Sequence, residues 1–224
     1  MADTQELRVE IQGTGSVSAV VVRPEKAKWM LALGHGAGAG MHHPFMTALA
    51  TELARVGIAT LRYQFPYMEE RRRAPDKPKV LMATVSTAAQ AAAKTAPDLP
   101  LLAGGKSMGG RMSSQAAAEG LLPGVRGLVF FGFPLHPPKQ PGTKRAEHLE
   151  KVSVPMLFLQ GTRDDLADLK LLMPICKGLG NRATLHVIES ADHSFHVLKK
   201  SGRSDEEVLR GLAETTAEWA KGLD

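Results

Sequence analysis

The stretch LPLLAGGKSMG, residues 99–109, decides how this chain folds. Residues 99–103 are apolar, as in a buried strand, and residues 111–119 are alanine-rich, as in a helix. Ser107 stands between them, with glycines two positions away on each side. We expect a tight, strained turn from strand to helix, in which a Cβ at either flanking glycine would clash. Such a turn, a nucleophile elbow, raises the serine hydroxyl above the edge of the sheet.

On both sides of this turn the chain alternates between strand and helix patterns. The predicted strands are 6–12, 17–22, 29–33, 58–63, 99–103, 125–131, 154–160 and 183–188, and the predicted helices are 44–56, 79–95, 107–120, 166–178 and 204–221. A hairpin followed by repeated βα units indicates a mostly parallel sheet with helices on both faces. No linker marks a second domain, so we expect residues 1–224 to form one domain.

The composition indicates the class of protein and the compartment expected for it. Of 224 residues, 43% are hydrophobic and 23% charged, which is typical of a globular domain. Cys176 is the single cysteine, so no disulfide can form within the chain, and a reducing compartment is expected. The polar N-terminal residues show no secretory signal, and no apolar run is long enough to span a membrane. We therefore predict a cytoplasmic protein without a membrane partner.

A net charge of +5 permits an acidic partner but does not require one. The tightest basic run is Arg71–Arg73, with Lys77 and Lys79 nearby. It lacks the interleaved aromatic residues and the motif spacing of a nucleic-acid interface, so we predict a solvated loop and no nucleic-acid partner. The sequence does not indicate an oligomeric state.

A glycine-rich loop, GHGAGAG at 34–40, follows the predicted strand 29–33. Small residues let a backbone N–H approach a substrate oxygen, so we expect Ala37 and Met108 to supply the two N–H groups of an oxyanion hole. His35 is expected to orient the loop rather than act as a base. The alternative is a phosphate-binding loop, but the glycines do not follow GxGxxG and no Walker lysine is present.

Two further polar groups follow strands at the same edge of the sheet. Asp164 is the first carboxylate after strand 154–160, whereas Asp165 suits a helix cap and Asp168 falls inside the predicted helix. His193 follows the last strand, with His196 as the second choice. We predict that Ser107, Asp164 and His193 form a nucleophile–acid–base triad.

The chain resembles the α/β-hydrolases, in which the triad has this order along the sequence. It is most similar to the small, lidless dienelactone-hydrolase-like branch. The motifs HGAGAGM (35–41), FPYM (65–68), GGKSMGGR (104–111) and GTRD (161–164) resemble a poorly characterised family. That family includes bacterial predicted hydrolases and, in animals, testis-expressed proteins and hydrolase-like subunits of chromatin complexes. The resemblance implies the α/β-hydrolase fold, with about seven to eight strands and no large lid.

These features predict a serine hydrolase that cleaves a small carboxylic ester or thioester without a metal or organic cofactor. Dienelactone hydrolases use cysteine where this chain has Ser107, which argues against a dienelactone substrate. Two alternatives stay open: a non-catalytic scaffold on a hydrolase fold, and a small peptidase. We expect loops 64–79 and 132–150 to shape the site, and Lys106 to be exposed or in a local salt bridge.

Overall fold

The computed structural model of the protein describes residues 2–223. Its strands are β1 (Ala2–Ile11), β2 (Gly15–Pro24), β3 (Trp29–Gly34), β4 (Ile58–Tyr63), β5 (Leu101–Lys106), β6 (Val125–Phe131), β7 (Met156–Gly161) and β8 (Ala183–Ile188). Its helices are α1 (Pro44–Arg55), α2 (Pro66–Glu69), α3 (Pro78–Thr95), α4 (Met108–Ala118), α5 (Leu169–Gly178) and α6 (Asp205–Lys221).

The eight strands form one sheet in the order β1-β2-β4-β3-β5-β6-β7-β8. β1 pairs antiparallel with β2, and β2 pairs antiparallel with β4. From β4 to β8 every pairing is parallel. The prediction of a mostly parallel sheet of seven to eight strands is confirmed. Because parallel strands share one direction, the loops after β3, β5, β7 and β8 all leave from the same edge.

Helices cover both faces of the sheet, and each face has its own apolar core. Leu31 and Leu33 of β3 pack on the face covered by α1 and α6. Met30 and Ala32, which alternate with them, pack on the face covered by α3, α4 and α5. This two-sided burial explains why β3 is apolar along its whole length.

The helix boundaries differ from the prediction at one place that concerns the candidate site. Helix α5 begins at Leu169, three residues later than predicted, because the Asp168 carboxylate caps it by accepting a hydrogen bond of 2.8 Å from the Lys170 N–H. Asp168 is therefore the cap and Asp165 is not. The spacing of Ser204 and Glu207 in the sequence predicts a capping box at the start of the last helix. The structure confirms it, because each side chain accepts from the other residue's backbone N–H.

Two predicted loops contain short helical segments. Helix α2 lies within 64–78, and a 3-10 helix, Lys144–Lys151, lies within 132–151. Among residues 2–223, no helix combines the length and apolar character that crossing a bilayer requires.

Candidate active site

The turn after β5 holds Ser107 in a strained conformation, with φ 50° and ψ −113°. Its flanks pack tightly against β3: a Cβ on Gly105 would lie 2.2 Å from the Gly34 carbonyl oxygen, and one on Gly109 would lie 2.3 Å from the same atom. The Ser107 N–H donates to the Phe131 carbonyl of β6 at 3.2 Å. The turn is thus enclosed by both neighbouring strands, and both flanking positions require glycine, as expected from the sequence.

The structure brings the three predicted triad residues together. His193 Nε2 lies 2.9 Å from Ser107 Oγ, and His193 Nδ1 lies 2.7 Å from Asp164 Oδ2. Since a carboxylate only accepts hydrogen bonds, the proton of the neutral imidazole belongs on Nδ1, which leaves Nε2 to accept from the Ser107 hydroxyl. The Asp164 side chain is 1% exposed and that of His193 is 20% exposed. The chain of hydrogen bonds therefore runs from a buried acid to a base that reaches solvent.

Asp164 is held by two further donors. Gln160 Nε2 donates to Oδ2 at 2.5 Å, and the Leu166 N–H donates to Oδ1 at 2.8 Å. Gln160 is itself fixed, because its Oε1 accepts from the Phe133 N–H at 2.9 Å. Gln160 was not among the site residues predicted from the sequence. Its signal was a single polar side chain near the carboxyl end of an otherwise apolar strand, MLFLQ at 156–160.

The loop after β3 is arranged by groups from the β4–α3 connection. The Tyr67 hydroxyl accepts from the Gly38 N–H at 2.9 Å. His35 Nδ1 lies 2.7 Å from the Gly36 carbonyl, and His35 Nε2 accepts from the Phe65 N–H at 3.2 Å. Burial lowers the pKa of His35 to about 4, so the ring is neutral near pH 7. His35 orients the loop, as predicted, and the contribution of Tyr67 was not foreseen.

The two N–H groups expected to form the oxyanion hole are available to a ligand. Neither the Ala37 N–H nor the Met108 N–H has an acceptor within residues 2–223. The Met108 N–H begins α4, where the helix dipole adds partial positive charge. An unpaired N–H beside a nucleophile is the arrangement that stabilises an oxyanion.

A cavity of about 320 Å³ opens above Ser107. Phe45, Met46 and Leu166 give it apolar walls, and its polar lining groups are His43, Lys106, Ser107, His193 and Ser194. Neither 64–79 nor 132–150 contributes to its lining, so the expectation that these loops shape the site is wrong. The reason is that α1 and the loop after β8 stand closer to the nucleophile. Within residues 2–223, no cluster of three or more His, Cys, Asp or Glu side chains is arranged to hold a metal ion.

The other candidates lie elsewhere. His196, the second choice for the base, is exposed and pairs with Asp205 at 2.8 Å, and this carboxylate raises its pKa. His186 lies on β8, where it is exposed. The run Arg71–Arg73 is exposed and does not line the cavity. Lys106 is half-buried, and it forms no salt bridge with any residue from 2 to 223, so that expectation is also wrong.

A parallel sheet that holds a strained serine turn, an acid after β7 and a histidine after β8 defines the α/β-hydrolase class. The family model described as an alpha/beta hydrolase domain matches residues 27–221, and the chain belongs to this family.

Solved structures are similar over nearly the whole chain. A dienelactone hydrolase from Anabaena variabilis shares 22% identity, with a TM-score of 0.74, and covers 97% of this chain and 96% of its own. A serine hydrolase without a lid from Xanthomonas campestris shares 21% identity, with a TM-score of 0.75 and coverages of 97% and 95%. An esterase domain from Rhodothermus marinus shares 15% identity, with a TM-score of 0.73 and coverages of 97% and 98%.

These matches confirm the resemblance to the lidless dienelactone-hydrolase-like branch and the fold that it implies. At such low sequence identities, these solved structures support the fold alone. The animal members of the resembled family remain a prediction.

Proposed function

We propose that the protein is a serine hydrolase that cleaves a small carboxylic ester or thioester through an acyl-enzyme. The observation that carries this proposal is the pair of hydrogen bonds, 2.9 Å and 2.7 Å, that joins Ser107 to His193 and His193 to Asp164. A serine hydroxyl is a weak nucleophile at neutral pH, and a base within this distance is what activates it.

In the acylation step, His193 Nε2 takes the hydroxyl proton while Ser107 Oγ bonds to the acyl carbon. The carbonyl oxygen becomes an oxyanion, and the N–H groups of Ala37 and Met108 stabilise it; one such donor is worth about 3 kcal/mol in the transition state. Asp164 keeps the Nδ1 proton in place and stabilises the imidazolium. The imidazolium then protonates the departing alcohol or thiol as its bond to the acyl carbon breaks.

In the deacylation step, water replaces the leaving group. His193 Nε2 takes a proton from this water as its oxygen attacks the ester of Ser107. A second oxyanion forms in the same hole, and collapse returns the proton to Ser107 Oγ and frees the carboxylic acid. The cycle needs these five residues and one water molecule.

The cavity favours a small acyl group. Its volume of about 320 Å³ lies at the lower end of the range of ligand pockets, and Phe45, Met46 and Leu166 give it apolar walls. We therefore expect short acyl chains to be better substrates than long ones.

Turnover of a defined panel tests the proposal. The panel consists of p-nitrophenyl acetate, butyrate and octanoate, a short acyl thioester and a p-nitroanilide amide. We expect the short esters or the thioester to be hydrolysed fastest and Ser107→Ala to abolish turnover. Ser153→Ala is the matched control, because Ser153 is exposed, and it should behave like the wild type.

Two outcomes would overturn the proposal. Amide turnover well above ester and thioester turnover would indicate a peptidase. If folded wild-type protein hydrolyses no member of the panel faster than Ser107→Ala does, the serine is not an activated nucleophile, and the scaffold alternative gains support.

A further inference from the structure

The lysine that precedes the nucleophile lies inside the site. The Lys106 Nζ donates a hydrogen bond of 2.6 Å to the backbone carbonyl of His193. No carboxylate within residues 2–223 forms a salt bridge with it. The hydrogen-bond acceptor of this partly buried ammonium is therefore a neutral carbonyl, which belongs to the proposed base.

Two aromatic rings complete the surroundings of this ammonium. Nζ lies 5.9 Å from the centre of the Phe45 ring and 5.5 Å from that of Phe195, and the two rings stack at 5.8 Å. These distances are within the range of cation–π attraction. Phe45 belongs to α1 and Phe195 to the loop after β8. Lys106 thus joins three segments: the nucleophile strand, the first helix and the loop that carries the base.

The space for this contact depends on Gly132, just after β6. A Cβ at Gly132 would lie 3.1 Å from Lys106 Nζ and 3.4 Å from the His193 ring. A side chain there would crowd the Lys106 ammonium and contact the His193 ring. The absence of a side chain at this position lets the amine and the imidazole lie side by side.

The loop that carries the base needs such a contact. We call residues 189–197 the histidine loop. It contains two non-glycine residues with positive φ, Ser190 at 61° and Phe195 at 64°. Conformations of this kind persist only where surrounding contacts enforce them. Asp192 braces the loop internally by accepting from the N–H groups of Ser194 and His196. The bond from Lys106 ties the loop to the strand of Ser107.

We propose that the Lys106 ammonium is a positioning residue that holds His193 against Ser107, and that the site loses activity when this amine loses its proton. The inference rests on the proposed function, since it concerns the base of that reaction. Charge matters for two reasons: a hydrogen bond from a charged donor is about twice as strong as one from a neutral donor, and a neutral amine has no cation–π attraction.

The proton of Lys106 comes off near neutral pH. Burial lowers its pKa from 10.5 to about 8, against the opposing influence of Asp164 and Asp192. Of the other groups beside it, the His193 imidazole is ionisable, whereas Phe45, Phe195 and Gly132 are not. The ammonium form therefore dominates below about pH 8, and the contact weakens as the pH rises through that value.

The rate at which a fluorophosphonate modifies Ser107 tests this without a known substrate. In that reaction the Oγ–P bond forms, the P–F bond breaks, fluoride leaves, and His193 takes the hydroxyl proton. We expect the wild-type rate constant to fall above about pH 8. Lys106→Met keeps the length and apolar body of the side chain without the donor. It should label about 10- to 100-fold more slowly at pH 7, as expected from a displaced base, and show no such fall.

Controls separate this role from a general effect of the substitution. Lys94→Met, at an exposed position on α3, should match the wild type at every pH. In a Cys176→Ala background, Lys106→Cys alkylated with 2-bromoethylamine restores an amine of nearly the same length but greater acidity. This thialysine form should recover most of the rate, with its alkaline fall displaced to lower pH. If the role of Lys106 were purely structural, the fall in labelling rate at alkaline pH would not shift in the thialysine form.

The outcomes distinguish the two proposals. If folded wild-type protein is not labelled at all, the serine hydrolase proposal fails and the inference falls with it. If the wild type is labelled but Lys106→Met matches it in rate and pH profile, the positioning role is refuted while the hydrolase stands. An alkaline fall that does not move in the thialysine form would also refute it.

Discussion

The nucleophile turn, residues 104–110, and the histidine loop meet at a hydrogen bond of 2.9 Å, yet the chain fixes them by different means. In the turn, backbone packs on backbone: Gly105 and Gly109 lie against the Gly34 carbonyl with no room for a methyl group. Backbone hydrogen bonds, such as the one from the Arg163 N–H to the Ala191 carbonyl, also hold the histidine loop, but side chains position its base. Lys106 lies on one side of that base and Asp164 on the other.

Because of this difference, substitutions in the two regions should have different effects. A turn held by excluded volume tolerates no added atom, so substitutions there act on folding. A loop held by polar side chains tolerates substitution of its supports but loses the position of the base, so changes there act on catalysis. The two regions should therefore respond in different assays.

The largest expected effect follows from removing the base. His193→Ala should lower the fluorophosphonate labelling rate by about 10⁴-fold or more, because loss of either the nucleophile or the base removes the activation of a triad. His196→Ala, three residues later in the same loop, should keep most of the rate, because its ring bonds Asp205 rather than Ser107. Equal losses in the two variants would refute the assignment of His193.

A methyl group in the nucleophile turn should act on stability. Gly105→Ala places a Cβ 2.2 Å from a carbonyl oxygen in a rigid parallel pair, so we expect a loss of about 3 kcal/mol in the free energy of unfolding, or no folded protein. Gly142→Ala is the control, because its Cβ would meet nothing within 4 Å. Urea denaturation measures both. A Gly105→Ala variant as stable as Gly142→Ala would contradict the packing argument.

Removing a support of the acid should have a smaller, catalytic effect. Gln160→Met deletes the donor to Asp164 Oδ2, and a hydrogen bond to a charged group is worth about 1.5–3 kcal/mol. We expect the labelling rate to fall about tenfold. Gln140→Met, at an exposed position, should leave it unchanged. Should Gln160→Met label at the wild-type rate, Leu166 N–H and His193 would suffice to hold Asp164.

The last expected effect is a pH dependence of stability. Because the pKa of Lys106 falls from 10.5 to about 8 on folding, the unfolded chain binds more protons in that interval. The wild type therefore gains stability from this group as the pH rises from about 8 to 10.5, whereas Lys106→Met does not. Thermal unfolding should show the Tm of Lys106→Met falling relative to wild type across this interval. A constant Tm difference would show that Lys106 is not buried as an ammonium.

The sequence predicts the parts of the site that depend on local patterns better than the parts that depend on distant side-chain contacts. Ser107, Asp164 and His193 are readable because each directly follows a strand whose apolar pattern is clear, and the carboxyl ends of parallel strands meet. The role of the glycines in the nucleophile turn can also be predicted from the neighbouring sequence alone. The hairpin, the sheet and the capping box at Ser204 are confirmed for the same reason.

The supports of the site depend on contacts between distant parts of the chain. Lys106 bonds a carbonyl 87 positions away and packs against a ring of α1, so no local pattern separates it from an exposed lysine. Gln160 gave a faint signal. Tyr67 lies in the FPYM motif, but that motif assigns it no role, which becomes clear only when its hydroxyl is seen at Gly38. The cavity walls were assigned to the wrong loops, because loop length does not say which segment stands closest to the nucleophile.

The central claim, an activated Ser107, is tested most directly by locating the fluorophosphonate adduct. Wild-type protein, confirmed as folded by its thermal transition, is treated with the probe, digested and mapped by mass spectrometry. We expect one adduct, on the peptide that contains Ser107, and we expect it to be kept in His196→Ala and lost in His193→Ala. Folded protein without an adduct, or with the adduct on another residue, would contradict it.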